Sequence, residues 1–197
     1  MLTRISALFL ALFLCGHAAA EPDCSYDADV LMSLSPEAFN DDLDRTGWRK
    51  LADREECVAV AADLLKTYRL RLDSERGSIL HHEAQLRAAL GQADVAITLL
   101  QDLLQTTEDE STRAYHKAEI AFLLQDRDAL VAARDKLLAV PKPEGFDQAV
   151  ENFKQKYPDY PPPVWPTNLN VIDGFIACFD KPYSEAYSQA CRPVAAE

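Results

Sequence analysis

The chain reads as an all-α protein: antiparallel helical hairpins stacked as a short array or bundle, with a disulfide-closed helical hairpin at the C-terminal end. Three observations predict this. From Trp48 to Val140 apolar residues recur at three- and four-residue intervals, the period of a helix with one buried face. No segment alternates with period two, so no sheet is expected. The connections in this region are short and polar, which makes successive helices antiparallel neighbours.

The first element is a leader over residues 1–20. Arg4 precedes an unbroken apolar run, Ala7 to Leu14, and Ala18-Ala19-Ala20 places small residues before Glu21. That is the pattern of a secretory signal cut after Ala20, too short to stay in a bilayer as a spanning helix. The expected compartment is the periplasm of a Gram-negative bacterium, with secretion as the other destination. Phe13 and Leu14 put bulky residues where a lipoprotein signal needs small ones, which argues against lipid anchoring through Cys15.

Beyond the leader stand four cysteines, Cys24, Cys57, Cys178 and Cys191. An even number in an oxidising compartment predicts two disulfides. Of the three pairings, Cys24–Cys57 and Cys178–Cys191 join nearest neighbours and are the ones expected. No pair has the two-residue spacing of a reactive dithiol, so a redox role is not indicated.

The helices follow in order. Ser35-Pro36-Glu37 is a helix start, with Ser as N-cap, Pro at the first position and an acid in the first turn; this short helix is expected to reach Asp44. Thr46 opens a long helix that nothing interrupts until Gly77. Further helices are expected from about Ser78 to Leu90, from the Gly91–Asp94 turn to Leu104, from Ser111 to Leu124, and from Ala129 to Val140. Residues 21–140 thus form the main helical domain. Residues 141–197 form a Pro-rich connection and a hairpin packed on the same domain. Seven prolines between Pro141 and Pro166 leave room for one short helix, about Glu144 to Tyr157, and force Pro161–Pro166 to be extended. Thr167 or Asn168 caps the next helix, and a last one runs from Pro182 to Cys191.

Two of these hairpins are alike. Leu90-Gly91-Gln92-Ala93-Asp94-Val95 aligns with Leu124-Gln125-Asp126-Arg127-Asp128-Ala129 at an offset of 34, which also pairs Ala84 with Ala118, Leu86 with Ile120 and His82 with His116. The region from about 77 to 140 resembles two divergent tetratricopeptide-type hairpins, whose period is 34 residues. Ala84, Ala118, Gly91 and Ala96 match the family's small positions. Glu83, Lys117, Arg87, Ala121, Leu130 and Gln125 depart from it, and a plain antiparallel bundle would show similar stripes. In that family the first helix of each hairpin lines a groove that holds peptides or partner proteins. The resemblance therefore implies a groove face of Ser78, His81, His82 and Gln85, then Thr112, Tyr115, His116 and Glu119. With only two repeats, the N-terminal helix and C-terminal hairpin would act as caps.

Composition narrows the partners. Acidic residues number 32 against 20 basic ones, a net charge of −12; without Arg4 the balance is 19 to 32, or −13. Such a surface repels phosphate backbones and anionic lipid, so nucleic acid and membrane-surface partners are disfavoured. After the leader no apolar stretch approaches the roughly 18 residues that span a membrane.

A protein or peptide partner is expected, held by His81, His82, Gln85, Tyr115, His116 and Glu119, with no catalytic residue, metal or cofactor implied. The other class to weigh is an envelope enzyme or metal-binding protein using His81, His82 and His116. Adjacent helical residues point about 100° apart, so His81 and His82 cannot readily share an ion. His82 with His116 and Glu119 could do so only if the two first helices pack side by side. No nucleophile elbow, phosphate-cradling glycine loop or His-Glu-x-x-His is present. Acid pairs such as Asp41-Asp42 and Glu55-Glu56 lie on polar faces. Trp165, among prolines, is expected to pack its connection onto the helices.

Overall fold

A computed structural model describes residues 22–41, 47–72 and 76–193. The leader with Cys15, and the positions Asp44 and Thr46 taken as helix boundaries, lie outside these residues. Among the described residues all regular structure is helical, and no helix is long and apolar enough to cross a membrane.

Helix α1 (Ala28–Ser33), which periodicity does not announce, starts on Asp27, whose carboxylate accepts the Val30 amide at 3.1 Å. Helix α2 (Pro36–Phe39) begins as its residues predict, with the Ser35 hydroxyl accepting the Ala38 amide, but it ends at Asn40 rather than Asp44. The expected long helix is broken. It consists of α3 (Arg49–Ala52), a 3-10 turn (Glu55–Cys57) and α4 (Val58–Leu70). At the break Arg54 is extended, and its guanidinium donates to the Asp23 carbonyl while Cys57 bonds to Cys24. The chain thus trades one helical turn for a joint that ties down the N-terminal segment.

Next come α5 (Gly77–Ala89), α6 (Ala93–Thr106), α7 (Glu110–Leu123) and α8 (Arg127–Ala139), each within two residues of expectation at its ends. The carboxylates of Asp109 and Asp126 cap α7 and α8 by accepting the amides of Thr112 and Ala129. Helix α9 (Phe146–Lys156) has no fully buried residue. Trp165 is half-buried, its indole donating to the Val140 carbonyl and its ring 5.4 Å from Phe146, so it packs the connection as expected. Asn168, at a left-handed φ of 64°, leads into α10 (Leu169–Ala177). The final helix is shorter than expected: α11 (Tyr183–Ala186) is followed by a separate 3-10 turn, Gln189–Cys191.

Both disulfides have the expected pairing, Cys24–Cys57 and Cys178–Cys191. The first anchors an N-terminal core in which Tyr68 stacks on Phe39 with ring centroids 3.6 Å apart and donates its hydroxyl to the Leu34 carbonyl. The second lies beside a C-terminal core of Phe122, Leu130, Leu137, Ile172 and Phe175. Between them Ala84, Leu100 and Leu103 join the two hairpins.

Helices α5 and α6 pair, as do α7 and α8; α4 packs on α5, α10 on α7 and α8, and α11 on α5. Helix α11 also packs against α10, and Gly174 permits that approach, because a Cβ there would lie 3.1 Å from the Ala186 carbonyl oxygen. Glu83 and Arg87, oddly polar for inner positions, are buried and paired: Glu83 accepts from Arg69 at 2.8 Å, and Arg87 reaches Asp63. A buried carboxylate needs such a cation, since removing either partner strands a charge away from water.

Candidate functional site

His81, His82 and Gln85 rise from α5, and Tyr115, His116 and Glu119 from α7. Because α6 packs on both neighbours and α11 reaches back to α5, the first helices of the two hairpins converge beneath the C-terminal segment. Five of the six come together, and His82 turns aside to the N-terminal segment. The five form an interior cluster roofed by the C-terminal segment, however, not an open face: Glu119 is 0% exposed, His116 3% and Tyr115 4%. The flanking Ser78 and Thr112 are exposed. The C-terminal segment covers the surface where an open groove was expected.

Glu119 is the centre. One carboxylate oxygen lies 2.7 Å from His81 Nε2; the other accepts from the Tyr183 hydroxyl at 2.8 Å and from Gln85 Nε2 at 3.2 Å. Gln85 Nε2 also has longer contacts with the hydroxyls of Tyr115 and Tyr187, at 3.4 and 3.5 Å. Burial pushes the Glu119 carboxyl up, but attraction to His81 and the hydrogen bonds from His81 and Tyr183 more than reverse it. It is therefore held below the ordinary 4.5 and is an anion at neutral pH. Burial, and then the Glu119 charge, raises the phenols of Tyr115 and Tyr183 well above 10, so both remain protonated donors.

His82 and His116, 34 residues apart on the first helices of the two hairpins, separate in role. His82 turns toward the N-terminal cap: its Nδ1 lies 2.8 Å from Asn40 Oδ1 and its Nε2 3.4 Å from an Arg49 nitrogen. Trp48 donates to the same Asn40 oxygen, and the Arg49 guanidinium sits 4.1 Å over the Trp48 ring. Burial, followed by repulsion from Arg49 and His81, lowers the His82 pKa to about 3.

His116 turns the other way, its ring centroid 4.6 Å from that of His81. Its Nδ1 is buried, and among the described residues it is the one buried side-chain nitrogen or oxygen without a hydrogen-bond partner. Burial and then His81 lower its pKa to about 4, against the pull of Glu119.

The alternative ligand set of His81, His82 and His116 is corrected by this arrangement. His82 is committed to Asn40 and Arg49, and the residues whose ligand atoms lie within 4.8 Å of one another are His81, His116 and Glu119. Beside them is a small cavity of about 90 Å³, lined by His81, Ser111, Thr112, Tyr115, His116, Thr167 and Asn168.

Asn40, Arg49, Tyr183 and Tyr187 complete the cluster and were not singled out by sequence pattern. Tyr183 and Tyr187 stand four residues apart, spacing that puts two polar-tipped rings on one helical face, a signal open to reading.

A larger opening lies elsewhere. A groove of about 810 Å³ runs over α6, α7 and α8, floored by Leu104, Ala114, Ile120, Ala121, Ala129 and Ala133. Exposed Lys117 and Lys136 stand along it, with Glu110 and Asp126 toward its ends.

Compared with known proteins, the chain matches no family model, no curated protein and no solved structure.

Proposed function

We propose that the protein is an exported, helical binding module that docks a protein or peptide segment, and that it does so in the groove over α6, α7 and α8. The carrying observation is the groove itself, at about 810 Å³ with an alanine-rich floor. Small side chains let a partner backbone approach closely, and an amphipathic segment could bury its apolar stripe there. The lysines Lys117 and Lys136 favour acidic residues on that segment, in a chain whose net charge of −12 otherwise repels them.

Two tetratricopeptide-type repeats are the best description of α5–α8. Gly91 and Gln125, 34 residues apart, both take left-handed backbone, at φ values of 73° and 56°. The turns around them make the same bonds, Gln92 N–H to the Arg87 carbonyl and Asp126 N–H to the Ala121 carbonyl. Ala84 and Ala118 are both fully buried at the helix contacts. The two disulfides support an oxidising compartment, and the periplasm is the destination that the leader favours. Docking assigns no catalytic residue and needs no cofactor.

Ala132 and Leu124 line the groove and are exposed, so Ala132→Arg and Leu124→Glu should fold normally. In affinity capture from the native envelope, each is expected to lose the wild-type partner by about tenfold, while His82→Ala retains it. Equal capture by wild type and both groove variants would overturn the docking site.

A further inference from the structure

We infer that His81, His116 and Glu119 form a binding site for a divalent transition-metal ion of the zinc class, independent of the docking groove. The three side chains come from two packed helices and converge from different directions. His116 and Glu119 are three residues apart on α7 and so share a face, and His81 meets them from α5. Their ligand atoms all fall within 4.8 Å of one another. Ligands around one zinc, at about 2.0–2.1 Å from the metal, are separated by roughly 3.3 Å, so modest side-chain rotation closes the set.

The unpaired nitrogen is the second observation. A buried imidazole nitrogen with no partner costs stability, and native proteins keep such atoms where something binds them. His116 Nδ1 is that atom, in a side chain 3% exposed, on the residue that shares the cluster with His81 and Glu119.

The surroundings match what a metal site requires beyond its ligands. Tyr183 and Gln85 hold one oxygen of Glu119, which fixes the carboxylate and leaves the oxygen now against His81 to face an ion. Two imidazoles and a carboxylate form a donor set suited to zinc and related ions, rather than to magnesium or calcium. The adjoining cavity of about 90 Å³ has room for water at a remaining position, and Ser111, Thr112, Thr167 and Asn168 supply polar walls. Three protein ligands plus an open position is the arrangement in which zinc activates water, and the site could therefore support hydrolysis.

The test is isothermal titration of untagged, chelator-stripped full chain with zinc, repeated with cobalt and read by its visible absorption. One zinc per chain is expected, with a dissociation constant below about 1 µM, and cobalt bands of a low-coordinate site. His116→Ala, its fold checked by circular dichroism, is expected to weaken binding at least tenfold. Glu119→Gln should weaken it too, with circular dichroism reporting whether that variant folds, and His82→Ala should bind within about twofold of wild type. No saturable binding, or equal binding by wild type and His116→Ala, would overturn the site.

Discussion

His82 and His116 occupy the same position in successive hairpins, 34 residues apart, and the chain treats them differently. His82 lies under the N-terminal cap, where Asn40 and Arg49 engage both ring nitrogens. His116 lies under the C-terminal cap, where Tyr183 goes instead to Glu119 and His116 Nδ1 is left without a partner. A further pair at the same offset explains the contrast. Gln85 of the first hairpin corresponds to Glu119 of the second, so the second has a buried carboxylate where the first has a neutral amide. Two helical hairpins have thus been finished by unlike neighbours, one into a satisfied joint and the other into a polar pocket. Position on the hairpin places the residue; what covers it decides the role.

The comparison breaks most severely at Glu119. Glu119→Ala strands His81, Gln85 and Tyr183 together beneath α11, and the loss should be about 3–5 kcal/mol in urea unfolding. Gln85→Ala, 34 residues earlier, removes a donor of longer contacts and should cost about 1 kcal/mol. Similar losses at the two positions would contradict the view that the second hairpin holds the critical charge.

Acid should expose both histidines. Their folded pKa values, about 3 for His82 and about 4 for His116, lie below the ordinary 6.5. Between 6.5 and 4 the unfolded chain therefore takes up protons that the folded chain refuses, and stability falls as pH falls. The slope is at most about 1.4 kcal/mol per pH unit for each histidine in metal-free protein. Burial sets the sign for both, and the charges facing them adjust it: Arg49 and His81 repel a proton on His82, and His81 repels one on His116 while Glu119 attracts it. Glu119, itself depressed, adds loss in the same direction below about 4.5 as it becomes protonated. Urea midpoints that stay level from pH 6.5 to 5 would count against both buried imidazoles.

The smallest effects test whether the hairpins are true equivalents. Gly91→Ala puts a side chain at φ 73° with no atom within 4 Å of the new Cβ, so the cost is conformational, about 1 kcal/mol. Gln125→Gly relieves the same backbone in the second hairpin and should raise stability by up to about 1 kcal/mol, less the bond from its side chain to the Phe122 carbonyl. Opposite signs in thermal melts are the expected outcome.

Much of this molecule can be read from its residues. Ser35-Pro36, Gly91 and the apolar spacing from Ile79 to Leu137 locate helices because caps, turns and buried stripes are local properties. The disulfide pairing followed from chain proximity. The break at Asp53–Arg54 was not legible, since it depends on Arg54 reaching Asp23 and Cys57 reaching Cys24 across the fold. The six site residues came from the tetratricopeptide-type resemblance as the groove faces of two helices, and a resemblance in spacing says which residues share a face and not what lies on it. The burial of Glu119 depends on Tyr183, 64 residues away, and the orientation of His81 rather than His82 toward α7 depends on how α5 rolls between α4 and α6.

The contrast between the two histidines is tested most directly by nitrogen-15 NMR of the imidazole rings during zinc titration. The account predicts that His81 and His116 ring nitrogens shift to metal-bound values at one equivalent, while both nitrogens of His82 hold their positions. Shifts at His82, or none at His116, would contradict it.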